Sequence, residues 1–517
     1  MIFVRGVVFG SIIIALAMAQ NGMINYRSVT VDGAAPEYAY RYERKIAHES
    51  SSKGDYFGMS VSLSGDKILI GSLKGSVEGE NSGIANLYAL VDSYPGWKLI
   101  NEFYPYTHIE NEIFGSSTGL SDNWAVIGAW KDNVYNLNTR RGGSVTIFRK
   151  TSDYFYGGVE MWDYNIKYFS KSENDLFGYS LLVYETASDE CIVFVGAPGG
   201  ASSSGVMHFG YVTMYQYTSM YGWILIANIA PANSYTPLYF GGSLSFHRET
   251  LAVGASDHKF LKSSTTAGKV YVFSLVDTFL IEEAVLQSPL NRQYSSADEF
   301  GASVAVWNSV LAVSQPSTSG DITSGSVFIY KKKMQVTGQY AWIQQQIISP
   351  VAAACDNCNF GWTIALNNNN LFVGSQKSGG QVTSRSTSSS VWYFQMKSST
   401  NGVLFEENMK FSASDSSLSD SYGSIISFDG NTLAIGASTG NGYKDGTGVV
   451  YIYTASLPQL IVDSHIGIVS LVYQILMYVA ATIVIFAAAS GMIVALPHLK
   501  RFVSKIAKIC SSFCGSI

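Results

Sequence analysis

The sequence predicts an all-β fold, a seven-bladed β-propeller of four-stranded blades closed by an N-terminal strand, together with one C-terminal transmembrane α-helix. Three observations lead to this prediction. A Phe-Gly or Tyr-Gly pair recurs at intervals of 57 to 63 residues, short apolar segments follow each pair, and one long stretch near the carboxyl end carries no charge. Self-similarity at a fixed period is typical of propellers and other repeat architectures. The pairs begin at Phe57, Phe114, Phe177, Phe240, Phe300, Phe360 and Tyr422.

The composition excludes several classes of protein. Charged residues make up 14% of the 517-residue chain, against roughly 25% in an average soluble protein. Glycine and tyrosine are abundant, and the net charge is −5. This composition argues against a disordered chain, a coiled coil and a polybasic protein that binds nucleic acid.

The amino end has the pattern of a signal peptide. Residues 1–19 contain Arg5, an apolar run and then Ala17-Met18-Ala19, the small-x-small pattern that signal peptidase accepts. An uncleaved anchor is the alternative interpretation. We expect residues 1–19 to direct the chain into the secretory system. The mature chain would then begin with an N-terminal lead segment, residues 20–37.

The carboxyl end predicts a membrane anchor. Residues 466–496 contain no Asp, Glu, Lys or Arg, and this length exceeds the roughly 20 residues that span a hydrocarbon core. Residues 457–465 form a juxtamembrane linker, and residues 497–517 form a short tail that begins with a basic cluster around Lys500 and Arg501. The positive-inside rule places this tail in the cytoplasm. The pattern therefore predicts a single-pass type I protein of the plasma membrane or cell surface, with its amino terminus outside.

The tail carries Cys510 and Cys514. Apolar residues recur at helical spacing between its lysines, as in a basic amphipathic segment on the inner leaflet. Juxtamembrane cysteines of this kind are candidates for palmitoylation. Unmodified, reduced cysteines are the equal alternative.

The repeats occupy residues 38–456. Each copy shows a strand that begins at the Phe-Gly pair, then two further apolar strands, and then an outer strand that often begins near a tryptophan. The seventh copy ends after its third strand, whereas an unmatched outer-strand segment, residues 38–48, precedes the first copy. We therefore expect the amino-terminal strand to complete the seventh blade.

These motifs resemble the FG-GAP repeat family, which forms the seven-bladed propeller of integrin α-subunit heads, and they are closest to its short-hairpin form. In integrins, several blades carry an Asp-x-Asp-x-Asp-Gly calcium loop between the first two strands. The corresponding turns here read SGDK, SDNW, HRET, WNSV, NNNN and DGNT, which are too short and too poor in carboxylates to enclose calcium. We expect no cofactor. Calcium binding stays an alternative only at the acidic residues described in the next paragraph.

An acidic residue stands two positions before most of the Phe-Gly or Tyr-Gly pairs. One interpretation is a ring of carboxylates that binds a metal ion at one mouth of the channel. The other, which we favour, is a turn cap repeated with the motif. The residues are Asp55, Glu112, Asp175, Asp298 and Asp420.

Cysteines and enzyme-like motifs give no catalytic site. Cys355 and Cys358 form a CxxC in a loop, and we expect a small disulfide there in an oxidising compartment. Cys191 lies beside an apolar strand and is expected to be a core thiol. Residues 115–119 fit G-x-S-x-G, but they occupy the first strand of a repeat and not a strand-to-helix elbow. We do not expect an enzyme.

The predicted function is recognition of an extracellular ligand, protein or glycan, by an adhesion or receptor-like ectodomain. The longest mixed aromatic and charged loops are residues 130–142 and 256–267. The alternative is a structural coat or scaffold component that associates laterally on a membrane. The candidate contact residues are Trp130, Tyr135, Arg140, Arg141, His258 and Phe260.

Deleting residues 38–48 is expected to leave an open seventh blade with an exposed strand edge, which favours aggregation. The deletion variant should melt at a clearly lower temperature than the parent chain, or should aggregate. Circular dichroism and light scattering during thermal unfolding measure both effects. A variant that melts cooperatively at the parent temperature would refute closure by this strand.

Overall fold

A computed structural model describes the propeller and shows that it is all-β. Within the described residues it contains 28 strands in seven four-stranded sheets. One compact unit comprises Arg41–Thr454. The second unit is Met1–Tyr40 with Ala455–Ile517. Of this unit the structure describes residues 39–40 and 455–456. The structure describes residues 39–456 except for 76–81, 92–95, 106–111, 134–140, 153–159, 171, 188–189, 201–208, 232–238, 257–267, 290–298, 317–324, 337, 351–357, 377–388, 400–401 and 414–420.

The strands follow the repeats in chain order. Before the first repeat comes β1 (Ala39–Ile46). Blades 1 to 3 contain β2 (Phe57–Ser64), β3 (Lys67–Ser72), β4 (Ile84–Leu90) and β5 (Trp97–Phe103); β6 (Ser117–Leu120), β7 (Trp124–Ala129), β8 (Ser144–Ser152) and β9 (Glu160–Phe169); and β10 (Ser180–Ala187), β11 (Glu190–Ala197), β12 (Tyr211–Thr218) and β13 (Gly222–Ile229). Blades 4 to 6 contain β14 (Phe240–His247), β15 (Thr250–Ala255), β16 (Lys269–Val276) and β17 (Phe279–Gln287); β18 (Val304–Trp307), β19 (Val310–Gln315), β20 (Ser326–Met334) and β21 (Tyr340–Ile348); and β22 (Phe360–Asn367), β23 (Asn370–Ser375), β24 (Ser390–Ser399) and β25 (Gly402–Phe411). Blade 7 contains β26 (Ile425–Phe428), β27 (Thr432–Ala437) and β28 (Val449–Ser456).

The ring closes as the sequence predicts. The strand order of the last sheet is β1-β28-β27-β26, so the amino-terminal strand is the outer strand of blade 7. Further contacts join blade 7 to blade 1. Phe57 forms a parallel bridge with Gly448, and the Leu63 amide donates to Ser427 Oγ at 3.0 Å.

Each Phe-Gly pair forms a tight turn. In blade 1 the Met59 amide donates to the Tyr56 carbonyl at 3.1 Å, and Gly58 has φ +84°. These features match a type II turn, whose third residue needs a positive φ and therefore favours glycine. The same amide-to-carbonyl bond recurs at the Phe-Gly or Tyr-Gly turn of each of the other six blades. The repeated pair is thus explained by backbone geometry.

The turn of one blade lies against two backbone positions of the preceding blade. A Cβ added to Gly71 would overlap the Gly115 carbonyl, and a Cβ added to Gly83 would overlap the Phe114 carbonyl. Corresponding glycines recur around the ring, including the closing pair, where Gly436 meets the Gly58 carbonyl. A side chain at these positions would force the blades apart.

In blades 1 to 4 a serine hydroxyl then bonds to the turn of the next blade. Ser60 Oγ donates to the Gly115 carbonyl at 2.8 Å, and Ser117 Oγ donates to the Gly178 carbonyl at 2.6 Å. Ser180 and Ser243 repeat this bond to the following blade. The serine two positions after the glycine of the Phe-Gly pair is therefore a polar connector in blades 1 to 4, whereas blades 6 and 7 have Thr363 and Ile425 at this position.

The core lies between blades. The second strands are buried along their whole length, as in β3, β15 and β27, except at the exposed first residue of β11. The repeat phenylalanines are fully or almost fully buried, and each contributes about 1.5–3 kcal/mol on burial. One cluster, for example, joins Phe240 of blade 4 with Phe194 of blade 3.

The two edges of the ring have different loops. We call the edge with the Phe-Gly turns and the loops between second and third strands the FG edge. The opposite edge, with the turns between first and second and between third and fourth strands, is the hairpin edge. Thr454 near the end of β28 pairs with Thr432 at the start of β27, so the chain leaves blade 7 at the hairpin edge. Among the described residues no helix is long and apolar enough to cross a membrane, and the predicted span over 466–496 lies outside them.

Gly196→Ala is expected to destabilise the propeller by about 1–3 kcal/mol, because overpacking a tight contact has this effect. The added Cβ would overlap the Gly241 carbonyl of the next blade. Urea denaturation measures the loss. The matched control is Gly242→Ala, whose new Cβ would come no closer than 3.3 Å to the neighbouring atoms. Equal stability of the two variants would contradict the proposed role of the close contact.

Candidate functional site

A groove runs along the seam where the ring closes. It lies between the closing strand β1 with the turn that follows it and the outer strand β5 of blade 1, and its volume is about 1010 Å³. Its walls combine aromatic rings, both signs of charge and a histidine. Its principal lining residues are Arg44, His48, Tyr88, Trp97, Glu102 and Tyr443.

His48 is fixed by bonds on both sides of its ring. Its Nε2 lies 3.0 Å from Glu102 Oε1, and its Nδ1 lies 3.0 Å from Ser50 Oγ. Because a carboxylate only accepts hydrogen bonds, Nε2 carries the proton of that bond. The ring also stacks on Phe57 at 6.1 Å and is only 7% exposed. The closing segment is therefore bonded to blade 1 through one buried imidazole.

Two tyrosines interact with the Glu102 carboxylate, Tyr104 by a hydrogen bond and Tyr88 electrostatically. Burial raises the pKa of Tyr88 above its ordinary value. Partial burial raises the pKa of Tyr104 to about 12, and the hydrogen bond to Glu102 and its negative charge add to this effect. Both phenols therefore stay neutral at physiological pH and remain hydrogen-bond donors.

Charged side chains border the groove. The Arg44 guanidinium lies against Gly96 across the seam, where a Cβ would come within 3.1 Å of it. Lys45 Nζ lies 5.1 Å from the centre of the Tyr451 ring. At the FG edge Tyr443 is exposed, and its hydroxyl donates to Glu49 Oε1 at 3.2 Å. Such a mixture of rings, donors and acceptors suits a polar, extended ligand.

Two of the predicted ligand contacts lie among the described residues, both in the loop after β7. Trp130 is half-buried, packs edge-on to Tyr179 at 6.0 Å and has Lys131 Nζ 4.7 Å from its ring. Arg141 is exposed, and its amide donates to Asn133 Oδ1 at 2.8 Å. The other predicted contacts, Tyr135, Arg140, His258 and Phe260, lie outside the described residues.

A buried ion pair supports this loop. Lys167 Nζ lies 2.8 Å from Asp132 Oδ2, and Ser144 Oγ donates to the same oxygen at 2.6 Å. The side chains of Asp132 and Lys167 are almost fully buried. The loop that carries Trp130 and Arg141 therefore begins from a fixed base.

The described acidic residues before the Phe-Gly pairs make local contacts. Asp55 Oδ2 accepts the Ser52 amide at 2.6 Å, as a turn cap does, and burial raises the pKa of Asp55. Asp175 is buried and accepts hydrogen bonds from Ser170 Oγ and from the Tyr211 hydroxyl, the latter at 2.8 Å. Glu112 is also buried. Within the described part of the chain no group of three or more His, Cys, Asp or Glu side chains could hold a metal ion; Asp298 and Asp420 lie outside that part.

The cysteines are only partly described. Cys358 is buried and disulfide-bonded, while its predicted partner Cys355 lies outside the described residues, so their pairing stays a prediction. Cys191 is free and fully buried in the core of blade 3, and burial raises the pKa of its thiol. Cys510 and Cys514 lie outside the described residues.

The seam groove was not found from the sequence. His48 and Glu102 are 54 residues apart, and no motif links them. One indication was available, because the closing segment 38–48 ends at this histidine. Glu102 of blade 1 comes within hydrogen-bond distance of this histidine only through the way in which the ring closes.

Comparison with known proteins supports the repeat family. The FG-GAP repeat family model matches residues 40–88 and 405–453. The first segment contains the closing strand and most of blade 1, and the second contains the outer strand of blade 6 and most of blade 7. No curated protein matches the chain at a significant level.

Solved structures resemble the chain only distantly. Sqt1 of Saccharomyces cerevisiae is 9% identical, with 82% of this chain and 100% of that chain covered and a TM-score of 0.41. A putative 6-phosphogluconolactonase from Bacteroides uniformis is 10% identical, with coverage of 68% and 85% and a TM-score of 0.40. The polysaccharide lyase Uly1 is 10% identical, with coverage of 83% and 94% and a TM-score of 0.43. These likenesses are too distant to bear on function.

Glu102→Leu is expected to lower the stability of the propeller by about 1–3 kcal/mol, because His48 would lose the acceptor of its buried N–H. Chemical denaturation measures the change. Glu102→Gln retains an acceptor and should lose less. Glu49→Leu, at an exposed position next to His48 on the turn after β1, should change stability by less than about 0.5 kcal/mol. If Glu102→Leu were as stable as the parent chain, the imidazole bond would not hold the seam.

Proposed function

We propose that this chain is a single-pass type I protein of the cell surface, whose FG-GAP propeller binds an extracellular ligand, a glycan or an extended protein segment. The observation that carries the proposal is the seam groove, with its rings, its carboxylate and its guanidinium side by side. Aromatic faces pack against the apolar faces of sugars or side chains, while charged groups fix polar substituents.

The rigidity of the scaffold supports a binding role. Every blade is fixed to the next through backbone-to-backbone contacts, so loops on the FG edge start from fixed positions. Binding residues are commonly carried by loops on such a scaffold. Trp130 and Arg141 lie on this edge, and they are proposed as further contacts for the same ligand.

The proposal is of a binding protein and not of an enzyme. Ser50, His48 and Glu102 form a hydrogen-bonded series, but Ser50 and His48 belong to one short turn, and this bond serves the turn. Hydrolytic activity that is lost in Ser50→Ala would contradict the proposal. No cofactor is proposed.

A second candidate function is a structural coat or scaffold component. Apolar side chains are exposed on the outer strands of three consecutive blades: Leu225 on β13, Ile281 on β17 and Ile343 on β21. Such residues would support lateral self-association. Concentration-dependent assembly of the purified chain without any ligand would favour this function.

Tyr443→Ala and Trp130→Ala are each expected to reduce binding several-fold, because aromatic side chains often dominate binding interfaces. The full-length chain is displayed on cells, and binding of extracellular matrix and of a glycan panel is measured with and without a calcium chelator. The matched control is Tyr164→Ala, an exposed tyrosine on the outer strand of blade 2. Unchanged binding by both variants would refute the placement of the site, whereas chelator sensitivity would favour the carboxylate ring.

A further inference from the structure

The hairpins between third and fourth strands expose large apolar side chains in three consecutive blades. In blade 3 the tip carries Met220, which is 78% exposed, and Tyr221. In blade 4 it carries Phe279, which is 72% exposed. In blade 5 it carries Val336, which is fully exposed. We call these four residues the apolar rim.

A hairpin between third and fourth strands folds without large apolar residues in at least one blade. The corresponding hairpin of blade 6 joins β24 to β25 and reads Ser398-Ser399-Thr400-Asn401-Gly402, without an apolar residue. A hairpin needs only a tight turn at this place. The large apolar residues of blades 3 to 5 therefore call for an explanation beyond folding.

Topology places the apolar rim and the end of the propeller at the same edge. Hairpins between third and fourth strands lie at the hairpin edge, and β28, the third strand of blade 7, ends there at Ser456. Only residues 457–465 separate this end from the uncharged span 466–496. Nine extended residues reach at most about 30 Å. A bilayer that contains the span must therefore lie close to the hairpin edge.

The apolar rim and the end of β28 lie at different positions around the ring. In a closed ring of seven blades, blades 3 and 4 lie farthest from blade 7. The apolar rim is thus on the far side of the ring from the point where the chain leaves it. Two attachments on opposite sides would hold the hairpin edge flat against a surface, which one flexible linker cannot do.

We propose that the apolar rim inserts into the outer leaflet of the bilayer that anchors the chain, an inference that rests on the membrane anchoring in the proposed function. Three separate convex tips match a fluid surface better than one complementary protein. Tyrosine is enriched at the membrane interface. Tyr221 on the blade 3 hairpin and Tyr340, which directly follows the blade 5 hairpin, are both exposed. Lys331 and Lys333 stand next to the blade 5 hairpin, where they are suited to contact lipid phosphates.

This orientation has a consequence for ligand binding. With the hairpin edge on the bilayer, the FG edge points away from the membrane. Trp130, Arg141 and Tyr443 lie at that edge. The predicted contacts and one end of the seam groove are then open to ligands outside the cell.

The test uses the full-length chain in phosphatidylcholine vesicles that contain nitroxide-labelled phosphatidylcholine. Single cysteines are introduced by Met220→Cys, Phe279→Cys or Val336→Cys in a Cys510→Ser, Cys514→Ser background and carry an environment-sensitive fluorophore. The first control is Val285→Cys on the same strand as Phe279, where Val285 is 40% exposed and six residues, roughly 20 Å, along β17. The second control is Tyr443→Cys at the FG edge.

If the apolar rim inserts into the bilayer, labels at 220, 279 and 336 show blue-shifted emission and nitroxide quenching. Labels at 285 and 443 show neither effect. Equal, weak quenching at 279 and 285 in a chain that resists carbonate extraction would overturn the inference and leave the anchor intact. Extraction of the chain by carbonate would remove the anchor, and the inference with it. Protection that depends on protein density and not on lipid would overturn it in favour of pairing between copies.

Discussion

Neighbouring blades approach each other closely through glycine backbones, and this close approach governs how the blades pack. The turn at Phe114 and Gly115 fits against Gly71 and Gly83 of the preceding blade, where no Cβ can be accommodated. This contact places the repeat phenylalanines in the core and, in blades 1 to 4, a serine within hydrogen-bond distance of the next turn. Blade 5 has Ser314 in place of the usual second-strand glycine, and its hydroxyl accepts the Ser303 amide at 2.9 Å. The contact therefore adapts where the glycine is missing.

Ring closure creates the seam groove. Six blades are built from consecutive chain, but blade 7 takes its outer strand from the amino end. The turn after that strand brings His48 to Glu102 of blade 1. The seam groove is thus unlike the other spaces between blades, because its two walls come from segments that no repeat unit encodes together.

The acidic residues of the repeat illustrate how a motif can suggest chemistry and serve packing. Asp55 caps its own turn, and Asp175 accepts hydrogen bonds from Ser170, which directly follows the outer strand of blade 2, and from Tyr211 of blade 3. Both carboxylates therefore make contacts close to their own Phe-Gly turns. This favours the interpretation of the repeated acid as part of the turn, for the residues that the structure describes.

Sequence patterns predict the all-β class, the seven repeats, the strand order within a blade and the closing role of residues 38–48, and the structure confirms these features. They follow from short-range patterns, since strand alternation and Phe-Gly turns are encoded within a few residues. The folded arrangement was needed to show that His48 meets Glu102, that Asp175 meets Tyr211, and that Met220, Phe279 and Val336 lie at the edge where β28 ends. The physical reason is that such contacts depend on how separate strands and blades are arranged around a closed ring, which no local pattern records.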